Sequence, residues 1–149
     1  MNINYFMKEA IKEANNALNN NEVPIGGVLV DNNTNEIICR GHNQVNKKQN
    51  AIYHCEIDLI INSCKKLSQK YLNDTVMFVT LEPCLMCASA ISEVHIEKVY
   101  FGAYDDKNGG IEKFKFQSNR KQQFKTDIYG GIMENDCKTL MENFFKRFR

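Results

Sequence analysis

No stretch of this chain is apolar for anything near the ~20 residues a membrane-spanning helix requires. The N-terminus carries acidic and polar residues early and lacks the apolar core of a secretion signal. A membrane partner is therefore not expected, and the chain reads as cytoplasmic. Charge of one sign is also missing: 19 Lys and Arg against 18 Asp and Glu leave a net charge of +1. That balance gives no reason, by itself, to expect a nucleic-acid partner. Internal repeats, linkers and composition breaks are absent too. The 149 residues then read as one domain, 1–149, long enough to bury a hydrophobic core.

What is present is more specific. Six cysteines (Cys39, Cys55, Cys64, Cys84, Cys87 and Cys137) are many for such a chain. Nothing indicates export, and the cytosol keeps thiols reduced, so a disulfide framework is not expected. Cys39, Cys64 and Cys137 read as buried small hydrophobes. Charge is also unevenly placed. Lys113, Lys115, Arg120, Lys121 and Lys125 form an acid-free run interleaved with Phe114, Phe116 and Phe124, and Lys146-Arg147-Phe148-Arg149 repeats the bias. Such stripes suit phosphates and unstacked bases, although a solvated surface segment is the simpler reading of the stripe alone.

Taken in order, Ile3, Phe6, Met7, Ala10, Ile11, Ala14, Ala17 and Leu18 form one apolar face of a helix over about residues 2–20. Ile25 to Val30 suits a buried strand, with a turn at Asp31-Asn32-Asn33-Thr34 and an antiparallel return over 36–41. The pair Gly26-Gly27 permits close approach of a neighbour or a ligand. Residues 44–51 read as a polar loop. A largely buried helix should follow His54, then a strand over 76–81, a helix over about 84–94 and a strand over 98–103. A short strand at 127–129 and a C-terminal helix carrying Leu140, Phe144, Phe145 and Phe148 close the chain. Strands alternating with helices predict an α/β sandwich around a mixed sheet.

Two short segments carry the chemistry, His54-Cys55-Glu56 and Pro83-Cys84-Leu85-Met86-Cys87. His54 and Cys84 each fall where a helix should begin, and Cys87 follows three residues later on the same side. Unpaired N–H groups and the helix dipole at such a start favour thiolates. Two thiolates and a neutral imidazole suit a zinc dication and leave its fourth tetrahedral position for water. The chain has no second C-x-x-C pair and no H-x-H pair to close that position. Cys137 stands alone, and Cys55 should point elsewhere. Glu56 is the natural proton shuttle for an activated water. His42 and His95 are left out of the ligand set. Asn43, a two-way hydrogen-bonding amide, lies near the expected mouth of the site.

Read together, these segments are H-x-E followed by P-C-x-x-C, the pattern of zinc-dependent nucleobase deaminases. The resemblance extends further. Glu22 to Val28, Gly41-His42-Asn43, Thr80 to Cys84, Phe101 to Gly110 and Phe144 to Arg147 all resemble bacterial tRNA-specific adenosine deaminases. The resemblance implies a cytidine deaminase-like three-layer α/β/α sandwich with a mixed, roughly five-stranded sheet. It implies one Zn2+ per chain on His54, Cys84 and Cys87, with Glu56 catalytic. It further implies hydrolysis of adenosine to inosine at the wobble position of a tRNA anticodon, commonly in an arginine tRNA, by a homodimer. Asn43 would bind the flipped base, and Asp105 and Lys107 would contact the anticodon loop. An unstacked loop base can reach a pocketed metal where a duplex base cannot.

Three features depart from the family pattern. Cys55 stands where Ala is usual, Asn50-Ala51-Ile52-Tyr53 replaces an Asp-Pro approach, and residues 111–127 differ most. Two other readings stay open at this point: a deaminase of free bases or nucleosides of guanine or cytosine type, and a non-catalytic RNA-binding subunit with a structural zinc. Leu81-Glu82-Pro83 and the Asp105-x-Lys107-x-Gly109 segment favour the tRNA enzyme over the first, and Glu56 argues against the second.

Overall fold

A computed structural model describes residues 1–117 and 124–147. Part of the basic–aromatic run (Arg120, Lys121) and the terminal Phe148-Arg149 lie outside the described residues. The chain begins with α1 (Ile3–Asn19), whose first turn is capped by the Asn2 side chain accepting from the Tyr5 N–H at 3.0 Å. Strands β1 (Gly26–Asp31) and β2 (Ile37–His42) form the expected hairpin. Asp31 Oδ1 closes its turn by accepting from the N–H groups of Asn33 and Thr34. After the one-turn helix α2 (Val45–Lys48) come α3 (Cys55–Leu67), β3 (Thr75–Leu81), α4 (Leu85–Glu93) and β4 (Lys98–Ala103). Helix α5 (Ile111–Gln117), strand β5 (Asp127–Tyr129) and α6 (Glu134–Lys146) complete the order.

The five strands form one mixed sheet in the order β2-β1-β3-β4-β5, antiparallel through β1 and parallel from β3 to β5. Alternation along the strands sorts the core into two layers. Val28, Val30, Val76 and Phe78 pack with Phe6, Met7 and Ala10 of α1 and Cys137 of α6. Leu29, Met77, Val79, Val99 and Phe101 pack with Leu59 and Ile60 of α3 and Ala88 and Ile91 of α4. The three-layer α/β/α sandwich is thus present, with helices on both sheet faces. No helix among the described residues is long and apolar enough to cross a membrane.

The structure corrects three expectations. Residues 44–51 are not all irregular, because α2 interrupts them. Residues 111–117 form α5, which the apolar pattern does not announce. Of the three cysteines expected in the core only Cys137 is fully buried. Cys39, on the edge strand β2, and Cys64, in α3, are half-buried against the core's margin. The glycine pair behaves as expected. A Cβ on Gly26 would land on the α1 backbone at Ala14 and Ala10, and one on Gly27 would lie 3.2 Å from the Cys55 thiol. Both positions keep a helix close to β1.

Candidate active site

Two helix starts face one another across the carboxyl end of β3. His54 occupies the N-cap of α3 and Cys84 the N-cap of α4, both with extended backbones (φ −69°, ψ 163° and φ −70°, ψ 172°). An N-cap side chain ordinarily accepts a bond from its own helix. Neither does so here, which leaves the imidazole and the thiol free to turn towards each other. The turn before His54 is closed by Asn50, whose Oδ1 accepts from the Ile52 N–H and whose carbonyl accepts from the Tyr53 N–H. The chain therefore makes the approach without the Asp-Pro pair.

His54 Nδ1 lies 3.6 Å from both Cys84 Sγ and Cys87 Sγ, and the three donor atoms all fall within 4.8 Å of one another. Zinc bonds of ~2.0–2.1 Å to nitrogen and ~2.3 Å to sulfur at a tetrahedral angle require an N···S separation of about 3.6 Å. The donors already stand at that spacing, so the residues fit the ion. This is the one group of three or more potential ligands that close among the described residues. His42 points its Nδ1 at the Asn43 carbonyl. His95, with a left-handed φ of 64°, is stacked between Tyr71 and Phe124. Neither joins the cluster.

Electrostatics match this geometry. The Cys84 thiol is drawn down to about 4, first by the hydrogen bond from Cys87 and then by His54, against the opposing effect of burial. Cys87 is pushed up because its proton is held between Cys84 and Glu56 and because it is buried. The His54 ring is raised chiefly by its bond to Cys84. One thiolate, one thiol and a basic imidazole thus share protons that a divalent cation would displace. Glu56, at the second position of α3, is 5% exposed. Burial lifts its carboxyl to about 7, opposed by bonds from its own N–H and from Cys87. A carboxyl poised near neutrality and touching a ligand side chain can both accept and return a proton.

Asn43 is buried at the end of β2. Its N–H donates to the Ile25 carbonyl at 3.0 Å, and its side-chain amide has no hydrogen-bond partner among the described residues. The neighbouring Gln44 N–H donates to the Tyr53 carbonyl, which ties this strand end to the residue before His54. Asp105 begins the loop after β4, and its Oδ1 accepts from the Lys107 and Asn108 N–H groups. Lys107 is exposed. A backbone bridge between Cys84 and Gly109 brings this loop alongside the cysteine pair.

Cys55 turns away from the donor cluster into the core. It is fully buried, with Sγ 3.5 Å from the Gly41 carbonyl and against Gly27. Burial pushes the thiol well above its usual range and keeps it protonated. Two acids that the sequence presents only as members of family-matching segments turn out to be buried acceptors. Fully buried Glu22 accepts from the N–H groups of Asn46 and Lys47 and holds α2 in place. Buried Glu82 accepts from the Asp105 N–H at 3.2 Å. A signal existed, since each acid immediately precedes or nearly precedes one of the chain's two prolines, where an element ends.

A mixed sheet with two ligand-bearing helix starts at one strand end, and a buried carboxyl beside them, defines a zinc-dependent deaminase. A family model of the cytidine and deoxycytidylate deaminase zinc-binding region matches residues 1–103, and the chain belongs to that family. Among its relatives, the tRNA-specific adenosine deaminase of Rickettsia felis is 42% identical over 144 residues, spanning 96% of this chain and 100% of its own length. That of Bacillus subtilis is 41% identical over 146 residues, spanning 97% and 89%. A solved structure from work on A-to-I editing by tRNA:A34 deaminases matches with a TM-score of 0.85 at 37% identity, covering 91% of this chain and 98% of its own. Guanine deaminase from Bacillus subtilis matches with a TM-score of 0.69 at 25% identity, covering 85% and 83%.

Proposed function

We propose that this enzyme converts adenosine to inosine at the wobble position of a tRNA anticodon, with an arginine tRNA as the expected substrate. The observation that carries the reading is the near-complete span of its identity to tRNA-specific adenosine deaminases, in a chain whose donor atoms stand at zinc spacing. The identity to guanine deaminases is lower, at 25% and 15%, although the fold is shared over as much of the chain.

His54 Nδ1, Cys84 Sγ and Cys87 Sγ would hold zinc, whose chemistry would be to make water acidic enough to supply hydroxide near neutral pH. Glu56 acts as the shuttle. Its carboxylate takes the proton of the attacking water and delivers it to the adenine ring nitrogen. With the oxygen now bonded to the amino-bearing ring carbon, it carries the remaining hydroxyl proton to the amino group, and the C–N bond breaks to release ammonia. Burial, which raises this carboxyl in the metal-free site, favours its holding a proton between the two transfers. Asn43 offers an uncommitted amide to the edge of the extruded base. Asp105 and Lys107 contact the loop's backbone or sugars. The enzyme acts in the cytoplasm as a homodimer in which both subunits touch the RNA.

The test is incubation of the zinc-loaded protein with an arginine tRNA anticodon stem-loop, with free guanine and cytosine in parallel reactions. Inosine in the RNA supports the reading. Turnover of a free base with no inosine in the RNA would replace it with a free-base deaminase.

A further inference from the structure

Glu82 is a buried carboxylate that the chemistry above does not use. It is the residue at which β3 has just ended and from which Pro83 and Cys84 lead into the metal cluster. Its Oε1 accepts from the Asp105 N–H at 3.2 Å, and the carboxylate faces the backbone of Glu112, at the start of α5. The segment between these two anchors is the loop from Tyr104 to Gly110. Its shape is set from within by Asp105, whose Oδ1 accepts from two backbone N–H groups and whose carbonyl accepts from Gly109. Gly109 lies flat on the Glu82 side chain, where an added Cβ would strike the carboxylate. The Gly110 and Ile111 N–H groups then both donate to the Pro83 carbonyl, at 3.0 and 3.1 Å. The loop thus docks on the turn that carries Cys84, and Glu82 lies beneath it.

We propose that Glu82 is a positioning residue that clamps the Tyr104–Gly110 loop to the Pro83–Cys84 turn and so fixes the loop's place beside the metal pair. An apolar side chain of the same length would fill the site but not accept the Asp105 N–H. A buried carboxylate that holds the Asp105 N–H and carries Gly109 against it is expensive to replace, so the loop loses its position while the sheet and ligands keep theirs. The proposal rests on the RNA reading only for its kinetic consequence, since the clamp itself is read from backbone amides.

The experiment compares wild type with Glu82→Met and Glu82→Gln as zinc-loaded proteins. Amide hydrogen exchange is expected to rise at least about tenfold at Asp105 in Glu82→Met, with exchange in α3 and zinc content unchanged. Glu82→Gln keeps one acceptor and should fall between the two. With a stem-loop substrate, KM should rise about tenfold or more in Glu82→Met while kcat changes less than about threefold. Wild-type exchange at Asp105 in Glu82→Met overturns the proposal. If that variant does not fold, wild-type exchange and KM in Glu82→Gln do the same. Failure of the RNA reading would show separately, as wild-type protein that does not act on the stem-loop while the exchange differences persist.

Discussion

Replacing Glu56 by Gln should damage the enzyme and stabilise its metal-free fold. The carboxyl is 5% exposed and sits at about 7 instead of its ordinary 4.5, with burial as the largest cause. A carboxyl raised on folding favours the native state most when protonated. Its contribution is complete below about pH 4.5 and is lost as pH rises through about 7. Above that, ionisation costs the metal-free protein on the order of 3 kcal/mol. Glutamine has nearly the same shape and does not titrate. Denaturant unfolding of the metal-free proteins should therefore find Glu56→Gln more stable by up to ~3 kcal/mol at about pH 8, with the difference closing towards pH 4. The zinc-loaded variant should keep its metal and lose about 100- to 10,000-fold in turnover, the usual contribution of a general acid–base. A variant with full zinc and near-wild-type turnover would refute the shuttle. A metal-free variant less stable than wild type at high pH would refute the account of Glu56's burial.

Other outcomes follow from the same geometry. In metal-free protein at about pH 6, Cys84 should react with iodoacetamide ahead of the other cysteines, because its thiol is drawn down to about 4. Zinc should protect it, and peptide mapping that finds Cys84 unreactive would contradict the assignment of the thiolate. Cys55→Ala should fold, bind zinc and remain active at a cost of roughly 1 kcal/mol for the lost sulfur. Cys55→Leu should cost more, roughly 1–3 kcal/mol, by overpacking against Gly27 and Gly41. Thermal melts with zinc analysis check both, and equal stability of the two variants would show that the thiol is not packed as described.

The donor set was legible in the sequence because it is local. His54 and Glu56 lie two residues apart, Cys84 and Cys87 three apart, and each pair sits at a helix start that apolar periodicity can locate. The sheet was legible for a similar reason: β1, β3 and β4 are short apolar runs between turn residues. Elements held by distant partners were not. Helix α2 has four residues and no buried side chain, and it is fixed by Glu22 from the loop after α1. Helix α5 begins where the Pro83 carbonyl and Glu82 meet residues almost thirty positions later. The half-buried state of Cys39 follows from the edge position of β2, which depends on strand order and not on composition. Cys55 is expected to point away from the ligands, but the sequence offers no reason for a thiol where Ala is usual. It became intelligible only once the pairing of β1 with β2 had placed Gly27 and Gly41 against it.

The central claim is that the zinc cluster and Glu56 act on an adenosine presented by a tRNA loop. The most direct measurement is a time course of inosine formation in an arginine tRNA anticodon stem-loop, read by nuclease digestion and mass spectrometry, with and without zinc. The expected result is conversion of the wobble adenosine alone, dependent on zinc and slowed about 100- to 10,000-fold in Glu56→Gln. No inosine from fully zinc-loaded wild-type protein, alongside turnover of free guanine or cytosine, would contradict it.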